Sequence, residues 1–222
     1  MDRRDRTKNL VCEILCYSGP ALKVHKKEKK AMKYMFASDI HGSAYYCKKM
    51  LEAYDKEKAD RLVLLGDILY HGPRNDLPKD YAPKEVIALL NERKDDLYVV
   101  RGNCDADVDQ MVIKHPIEDG YILTEVGNVT FLLNHGYLES KEETIRQAKD
   151  KGANVLILGH THVKELYMDE DLVVLNPGST SIPKDGSHSV AIIEIMPIEG
   201  NHHEVDMDIN LIDINTGEII EL

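Results

Sequence analysis

No stretch of this sequence approaches the roughly 18 consecutive uncharged apolar residues of a membrane-spanning helix, so no membrane partner is expected. Cysteine is scarce: four in 222 residues imply no disulfide framework. Cys12-x-x-x-Cys16 lacks a second ligand pair nearby, which argues against a zinc site there. Positive charge is in deficit. Lys and Arg number 28 against 39 Asp and Glu, a formal net charge of −11. Such a chain is a poor partner for nucleic acid or anionic membrane unless a basic patch or metal ions reverse the field locally. Internal repeats and low-complexity linkers are also absent. What is present, 43% hydrophobic and 30% charged residues over this length, suffices for a folded protein with a sizeable core.

The charge is unevenly spread. Residues 1–31 hold nine Lys/Arg and four acids, a net +5, so residues 32–222 carry −16. This basic leader contains Cys12 and Cys16 and a run, Leu10–Leu22, that faintly suggests a signal peptide. Glu13, Ser18, Gly19 and Pro20 interrupt the run, and no small-residue cleavage site follows. A basic nucleic-acid arm is the other functional reading. The reading adopted is that translation starts at Met32. A clean strand pattern begins there, and Lys27-Glu28, three codons upstream, could be encoded as a ribosome-binding sequence.

Beyond residue 31, strand-like runs alternate with helical patterns. Tyr34–Ala37, Arg61–Leu65, Leu97–Val100, Asn154–Leu158 and Leu172–Leu175 read as short buried strands. Cys47, Met50, Leu51 and Tyr54 form one face of a helix over Ser43–Lys58, with Ser43 as its cap. Pro83 opens a second helix at its tolerated first position. Ser140-x-x-Glu143 is a capping box for a third, which Gly152 stops. Gly127-Asn128 marks a hairpin between Tyr121–Val126 and Val129–Leu133. After Ser189 the pattern is all β, with Val190–Ile195, Glu204–Ile214 and Glu218–Leu222. This order argues a single α/β domain with mixed sheets. The long C-terminal strand pair offers an edge for a homo-oligomer.

Metal-competent groups follow the strands. They are Asp39-x-His41, Gly66-Asp67, Gly102-Asn103-Cys104-Asp105, His135-Gly136 and Gly159-His160-x-His162. Side chains at the carboxyl ends of sheet strands converge in space. A glycine beside each lets backbone approach closely. Carboxylate, imidazole and amide oxygen together suit Mn²⁺, Fe²⁺ or Zn²⁺. Singly, each element has a plain structural reading: Asp67 as a cap, His135 and His160 as core histidines. Five in one order, each ending a strand, point to a site.

In that order the sequence resembles the calcineurin-like metallophosphoesterases. It is closer still to the small bacterial YfcE-type phosphodiesterases. Phe36-Ala-Ser-Asp-Ile-His-Gly-Ser43, His71-Gly-Pro-Arg-Asn75, Val100-Arg-Gly-Asn-Cys-Asp105 and Asn176-Pro-Gly-Ser179 carry the likeness, which spans about Met32 to Leu222. The resemblance implies a single domain over residues 32–222, with two mixed sheets sandwiched by helices in four layers. It implies two divalent ions, Mn²⁺ first, with Fe, Zn, Ni or Mg as alternatives. Asp39, His41 and His162 would hold one ion. Asn103, His135 and His160 would hold the other, and Asp67 would bridge them. A hydroxide between the ions would attack a phosphodiester in line.

One departure stands out. Many superfamily members have Gly-Asn-His-Glu at the third motif, where the His assists the leaving group. Cys104 stands at that position here, and a thiol is a weak donor. His71, four residues after Asp67, is the candidate replacement acid, against a loop-ordering role. Cys104 reads as a small filler or a substrate contact rather than a nucleophile. Arg74 and Asn75 are candidate contacts to the substrate, or turn residues. Asn176-Pro-Gly-Ser179 shapes a loop beside the site, and His202-His203 fall in an exposed loop. The reading is a cytoplasmic phosphodiesterase acting on a small molecule. The alternatives are a nuclease of the same superfamily, disfavoured by the acidic core, and a metal-binding scaffold for protein contacts.

Overall fold

In the computed structural model, which describes residues 31–198 and 205–222, strands β1 (Met32–Ala37), β2 (Arg61–Leu64) and β3 (Leu97–Val99) run parallel. Helices α1 (Ala44–Glu57) and α2 (Pro83–Asn91) cross between them. The hairpin β4 (Tyr121–Val126) and β5 (Val129–Asn134) follows, then α3 (Lys141–Asp150) and β6 (Val155–Ile157). After these come β7 (Lys164–Asp169), β8 (Leu172–Pro177), β9 (Ser189–Pro197), β10 (Val205–Asp213) and β11 (Ile219–Ile220). One sheet has the order β11-β10-β9-β1-β2-β3 and the other β4-β5-β6-β8-β7. Both mix parallel and antiparallel pairs. The N-terminal leader and His202-His203 lie outside the described residues.

Strand periodicity divides the core into three. Met35, Ala37, Leu62 and Leu64 face outward beneath Cys47 and Met50 of α1 and Val86 and Leu90 of α2. The alternate residues Phe36, Val63 and Leu65 face inward against Phe131, Leu133, Val155 and Leu175 of the second sheet. Leu132, Leu156 and Val174 face out again, under Ala148 of α3. The result is the four-layer arrangement. Strands covered on both faces need apolar residues at nearly every position, which is why they read as continuous runs.

Local signals act as expected. Ser43 Oγ accepts from Tyr46 N at 3.3 Å, and Pro83 sits at the start of α2. Gly127 and Asn128 both have positive φ, 59° and 74°, the backbone of a tight hairpin turn. Ser140 Oγ accepts from Glu143 N at 3.2 Å, but the reciprocal half of the capping box is not used. The Glu143 carboxylate pairs instead with Arg146, three residues on and on the same face. Strand β7 is not anticipated by the sequence pattern. Its Lys-Glu-Leu-Tyr-Met-Asp composition is polar because it is an edge strand with one neighbour, β8. The C-terminal strand is also shorter than expected: β11 pairs only through Ile219 and Ile220. Among the described residues, no helix is long and apolar enough to cross a membrane.

Candidate metal centre

The parallel strands β1, β2, β3, β5 and β6 deliver their following residues to one end of the two-sheet sandwich. Asp39, His41, Asp67, His160 and His162 all take left-handed backbone, with φ of 58°, 49°, 55°, 67° and 61°. That conformation costs non-glycine residues on the order of 1–3 kcal/mol each and persists only where surroundings enforce it. Close approach is part of the enforcement. A Cβ on Gly102 would lie 2.2 Å from Asp67 Oδ1, and one on Gly159 would lie 2.2 Å from Ser38 Oγ.

Three imidazoles are aimed by their second nitrogen. A carbonyl can only accept, so Nδ1 must donate in each case. His41 Nδ1 donates to Tyr70 O at 2.7 Å, His162 Nδ1 to Ile182 O at 2.8 Å, and His135 Nδ1 to Leu65 O at 2.5 Å. This fixes the tautomer and turns Nε2 inward, as in metal-binding histidines. His162 Nε2 lies 3.1 Å from Asp39 Oδ1, and His41 Nε2 lies 3.6 Å from it. The two Nε2 atoms are 3.4 Å apart. Asp67 turns Oδ2 to His41 Nε2 at 3.6 Å and Oδ1 to His135 Nε2 at 3.5 Å. Asn103 Oδ1 completes that side, 3.2 Å from His135 Nε2.

These groups fit a cation. Asp39 Oδ1 is buried with no well-formed hydrogen bond among the described residues and faces the Nε2 atoms of His162 and His41, the nitrogens left free by their Nδ1 bonds. The ligand atoms of Asp39, His41 and His162 lie within 4.8 Å of one another, as do those of Asp39, Asp67 and His135. His160 falls in neither cluster. It is half-buried, with its ring 5.2 Å from that of His135 and its N–H donating to Asp39 Oδ2 at 3.2 Å.

The electrostatics agree. Burial would raise Asp39, but the His162 and His41 rings hold it well below the usual carboxylate range. Burial would likewise depress His135, yet the Asp67 and Asp39 carboxylates hold it up at about 9. His160 is depressed by burial and by the charge of His135. Protonated imidazole thus stands in for the positive charge these carboxylates require, a charge that a metal ion would replace with release of protons.

The centre opens into a cavity of about 590 Å³, whose wall includes Arg74, Asn75, Cys104, Thr161 and Lys184. Burial and the neighbouring Asp67 push the Cys104 thiol up to about 12, so it stays protonated. His71 is not on that wall. Its ring packs edge-on to Tyr70 and Tyr81, at 4.8 and 5.2 Å, and its carbonyl accepts from Asn75 Nδ2 at 2.8 Å. Its Nδ1 is buried with no hydrogen-bond partner among the described residues, so the loop contact to Asn75 is made by the backbone of His71 and not by its ring.

Residues 32–197 match the calcineurin-like phosphoesterase superfamily domain. The chain belongs to that superfamily. It is 42% identical over 156 residues to phosphodiesterase YfcE of Escherichia coli K12, covering 70% of this chain and 83% of that protein. The solved structure of YfcE, a phosphoesterase from E. coli, superposes with a TM-score of 0.72 at 36% identity, covering 86% of this chain and 97% of that one. Vacuolar protein sorting 29 from Cryptosporidium parvum shares the fold, with a TM-score of 0.61 at 16% identity, over 86% of this chain and 95% of that one.

The sequence reading named Asp105 within the third motif and Asn176-Pro-Gly-Ser179 as a loop beside the site, but the hydrogen-bonding roles of these residues, and Ser181, escaped it. Asp105 accepts three backbone N–H groups, from Asp67, Ile68 and Gly102, each at 2.8 Å. It thereby ties the Asp67 turn to the Asn103 turn. Ser179 Oγ and Ser181 Oγ both donate to Asp39 O at 3.0 Å. Asn176 Nδ2 holds Gly159 O at 2.8 Å and Thr161 Oγ1 at 3.1 Å. The only available signal was proximity to the motifs. Their partners are backbone groups, which leave no trace in residue identity.

Proposed function

We propose that this superfamily member is a metal-dependent phosphodiesterase using two divalent ions. The observation that carries the reading is the placement of Asp67. One carboxylate offers one oxygen toward His41 and the other toward His135, as a residue shared by two ions can. Asp39, His41 and His162 would hold the first ion, and Asn103, His135 and His160 the second. Two bound ions would lower the pKa of an attacking water in line with the leaving group and neutralise charge on the phosphoryl oxygens. Mn²⁺ is the ion expected from the sequence resemblance. The naming of the E. coli relative as a phosphodiesterase supports a diester substrate.

The chain's own groups do the positioning. Tyr70 O, Ile182 O and Leu65 O keep three imidazoles in register. Asn103 Nδ2 donates to Cys104 Sγ at 3.2 Å, and the thiol lines the cavity from which a leaving group would depart. A protonated thiol donates weakly, so departure depends steeply on leaving-group acidity. Arg74 and Asn75 would contact substrate from the cavity lining, in a turn closed by Asn75 Nδ2 on the His71 carbonyl. The free thiols Cys47 and Cys104 support a cytoplasmic setting. With all seven ligand positions filled, catalysis is favoured over a purely scaffolding role. The test is metal reconstitution followed by a panel of mono- and diesters, with metal content measured alongside. Stoichiometric metal without turnover of any phosphoester refutes the reading.

A further inference from the structure

Two cations line the metal cavity without acidic partners among the described residues. Four of the five arginines among the described residues have carboxylate partners: Arg61 with Asp96, Arg93 with Asp55, Arg101 with Asp107 and Asp119, and Arg146 with Glu143. Arg74, on the wall of the metal cavity, has no acidic partner among them. Lys184, on the same wall, also has none. In a chain of net charge −11, two such cations lining one cavity are conspicuous.

Both sit on fixed backbone. Lys184 N donates to His162 O at 3.0 Å, tying the residue to the metal centre. The adjacent acid, Asp185, cannot neutralise it. Its carboxylate is taken by Lys164, through Nζ at 2.5 Å and the backbone N–H at 2.6 Å. Arg74 lies in a tight turn, in which Asn75 Nδ2 closes on His71 O at 2.8 Å. Gly72 in that turn, at φ 79°, packs so closely that a Cβ there would lie 3.2 Å from Cys104 Sγ. The scissile group of a diester is a monoanion. Two divalent ions against the carboxylates of Asp39 and Asp67 already leave surplus positive charge for it.

We propose that Arg74 and Lys184 form a second anion site, selecting phosphodiesters whose non-leaving arm ends in an anionic group, carboxylate or phosphate. This rests on the phosphodiesterase reading above. A guanidinium fork and an ammonium lining one cavity suit oxyanions and repel cationic arms.

The test uses Mn²⁺-loaded protein and 4-nitrophenyl diesters that share one leaving group. Their second arms end in methyl, carboxylate, phosphate or trimethylammonium. The wild type is expected to prefer the anionic arms, with a preference that weakens as salt rises. Arg74→Gln and Lys184→Gln should each lower kcat/KM on the anionic arms about tenfold more than on the methyl arm. Lys184→Glu should raise the relative rate on the trimethylammonium arm. The carboxylate and phosphate arms tell which oxyanion is preferred, and preference for either supports the site. Equal losses on all arms would mean that the two cations bind the scissile phosphate, which overturns the proposal. Wild-type turnover without arm preference overturns it alone. No turnover on any arm removes the phosphodiesterase reading and this proposal with it.

Discussion

Removing the Asp105 carboxylate tests whether the centre is built by backbone clamping. Asp105 is 8% exposed and receives the N–H groups of Asp67, Ile68 and Gly102, each at 2.8 Å. Asp105→Ala strands three buried donors. At about 1–3 kcal/mol for each, the summed loss is about 3–9 kcal/mol. Even the low end is a large share of the roughly 5–15 kcal/mol that holds a domain together. Asp105→Asn is milder. The oxygen that takes both Asp67 N and Gly102 N can be kept, while the new NH₂ faces Ile68 N–H, so about 1–3 kcal/mol is lost. Urea unfolding of the metal-free proteins should therefore rank wild type above Asn above Ala. Where Ala still folds, turnover should drop on the order of a hundredfold, because Asp67 is displaced by a fraction of an ångström to one ångström. An Asp105→Ala protein within 1 kcal/mol of wild type and fully active would refute the clamp.

Four further outcomes follow from the same geometry. Asp67→Asn should abolish diester hydrolysis and lower metal content while leaving the far-UV circular dichroism unchanged; full activity would remove the bridging assignment. Gly102→Ala should disable the centre with Asp67 intact, since the new methyl would lie 2.2 Å from Asp67 Oδ1, and metal titration should show weakened binding. Metal loading at pH 7–8 should release protons, because His135 is held up at about 9 by the carboxylates it faces and still carries its proton there. Calorimetry in buffers of different ionisation enthalpy reads that release, and affinity should fall further as pH drops. His71→Ala should cut rates equally on good and poor leaving groups, whereas a selective loss on poor ones would restore it as the acid.

The parts of this molecule legible in the sequence are those in which side chains report on themselves. Apolar runs such as Arg61–Leu65 announce strands covered on both faces, and Ser43, Pro83 and Gly127-Asn128 announce element ends because each solves a local backbone problem. The candidate ligand residues were visible because carboxylate and imidazole groups recur at strand ends. Strand β7 was hidden because one ladder with β8 suffices to hold a polar edge. The lining residue Lys184 was hidden because nothing local ties it to the centre. Its link is a backbone bond to His162, which any residue other than proline could make. The surroundings of His71 were equally hidden: four residues from Asp67 is close in sequence, but its ring packs edge-on to Tyr70 and Tyr81, and His71 is not among the residues lining the cavity.

The same distinction explains why serine, asparagine and aspartate gather behind the ligands. Five of the candidate ligand positions take left-handed backbone, which aims successive side chains inward from a sharp turn and is unfavourable for each. Their combined cost, on the order of 5–15 kcal/mol, would rival the stability of the whole domain if left unopposed. Opposition comes in hydrogen bonds to the turns themselves. Asp105 takes three N–H groups, Ser179 and Ser181 converge on Asp39 O, and Asn176 grips Gly159 O. At about 1 kcal/mol net for each neutral bond, and more for those to the Asp105 carboxylate, these six interactions are of the right size to hold the turns. The candidate ligands can therefore be strained and electrostatically crowded because a separate set of polar residues, none of them a candidate ligand, holds the turns that carry them.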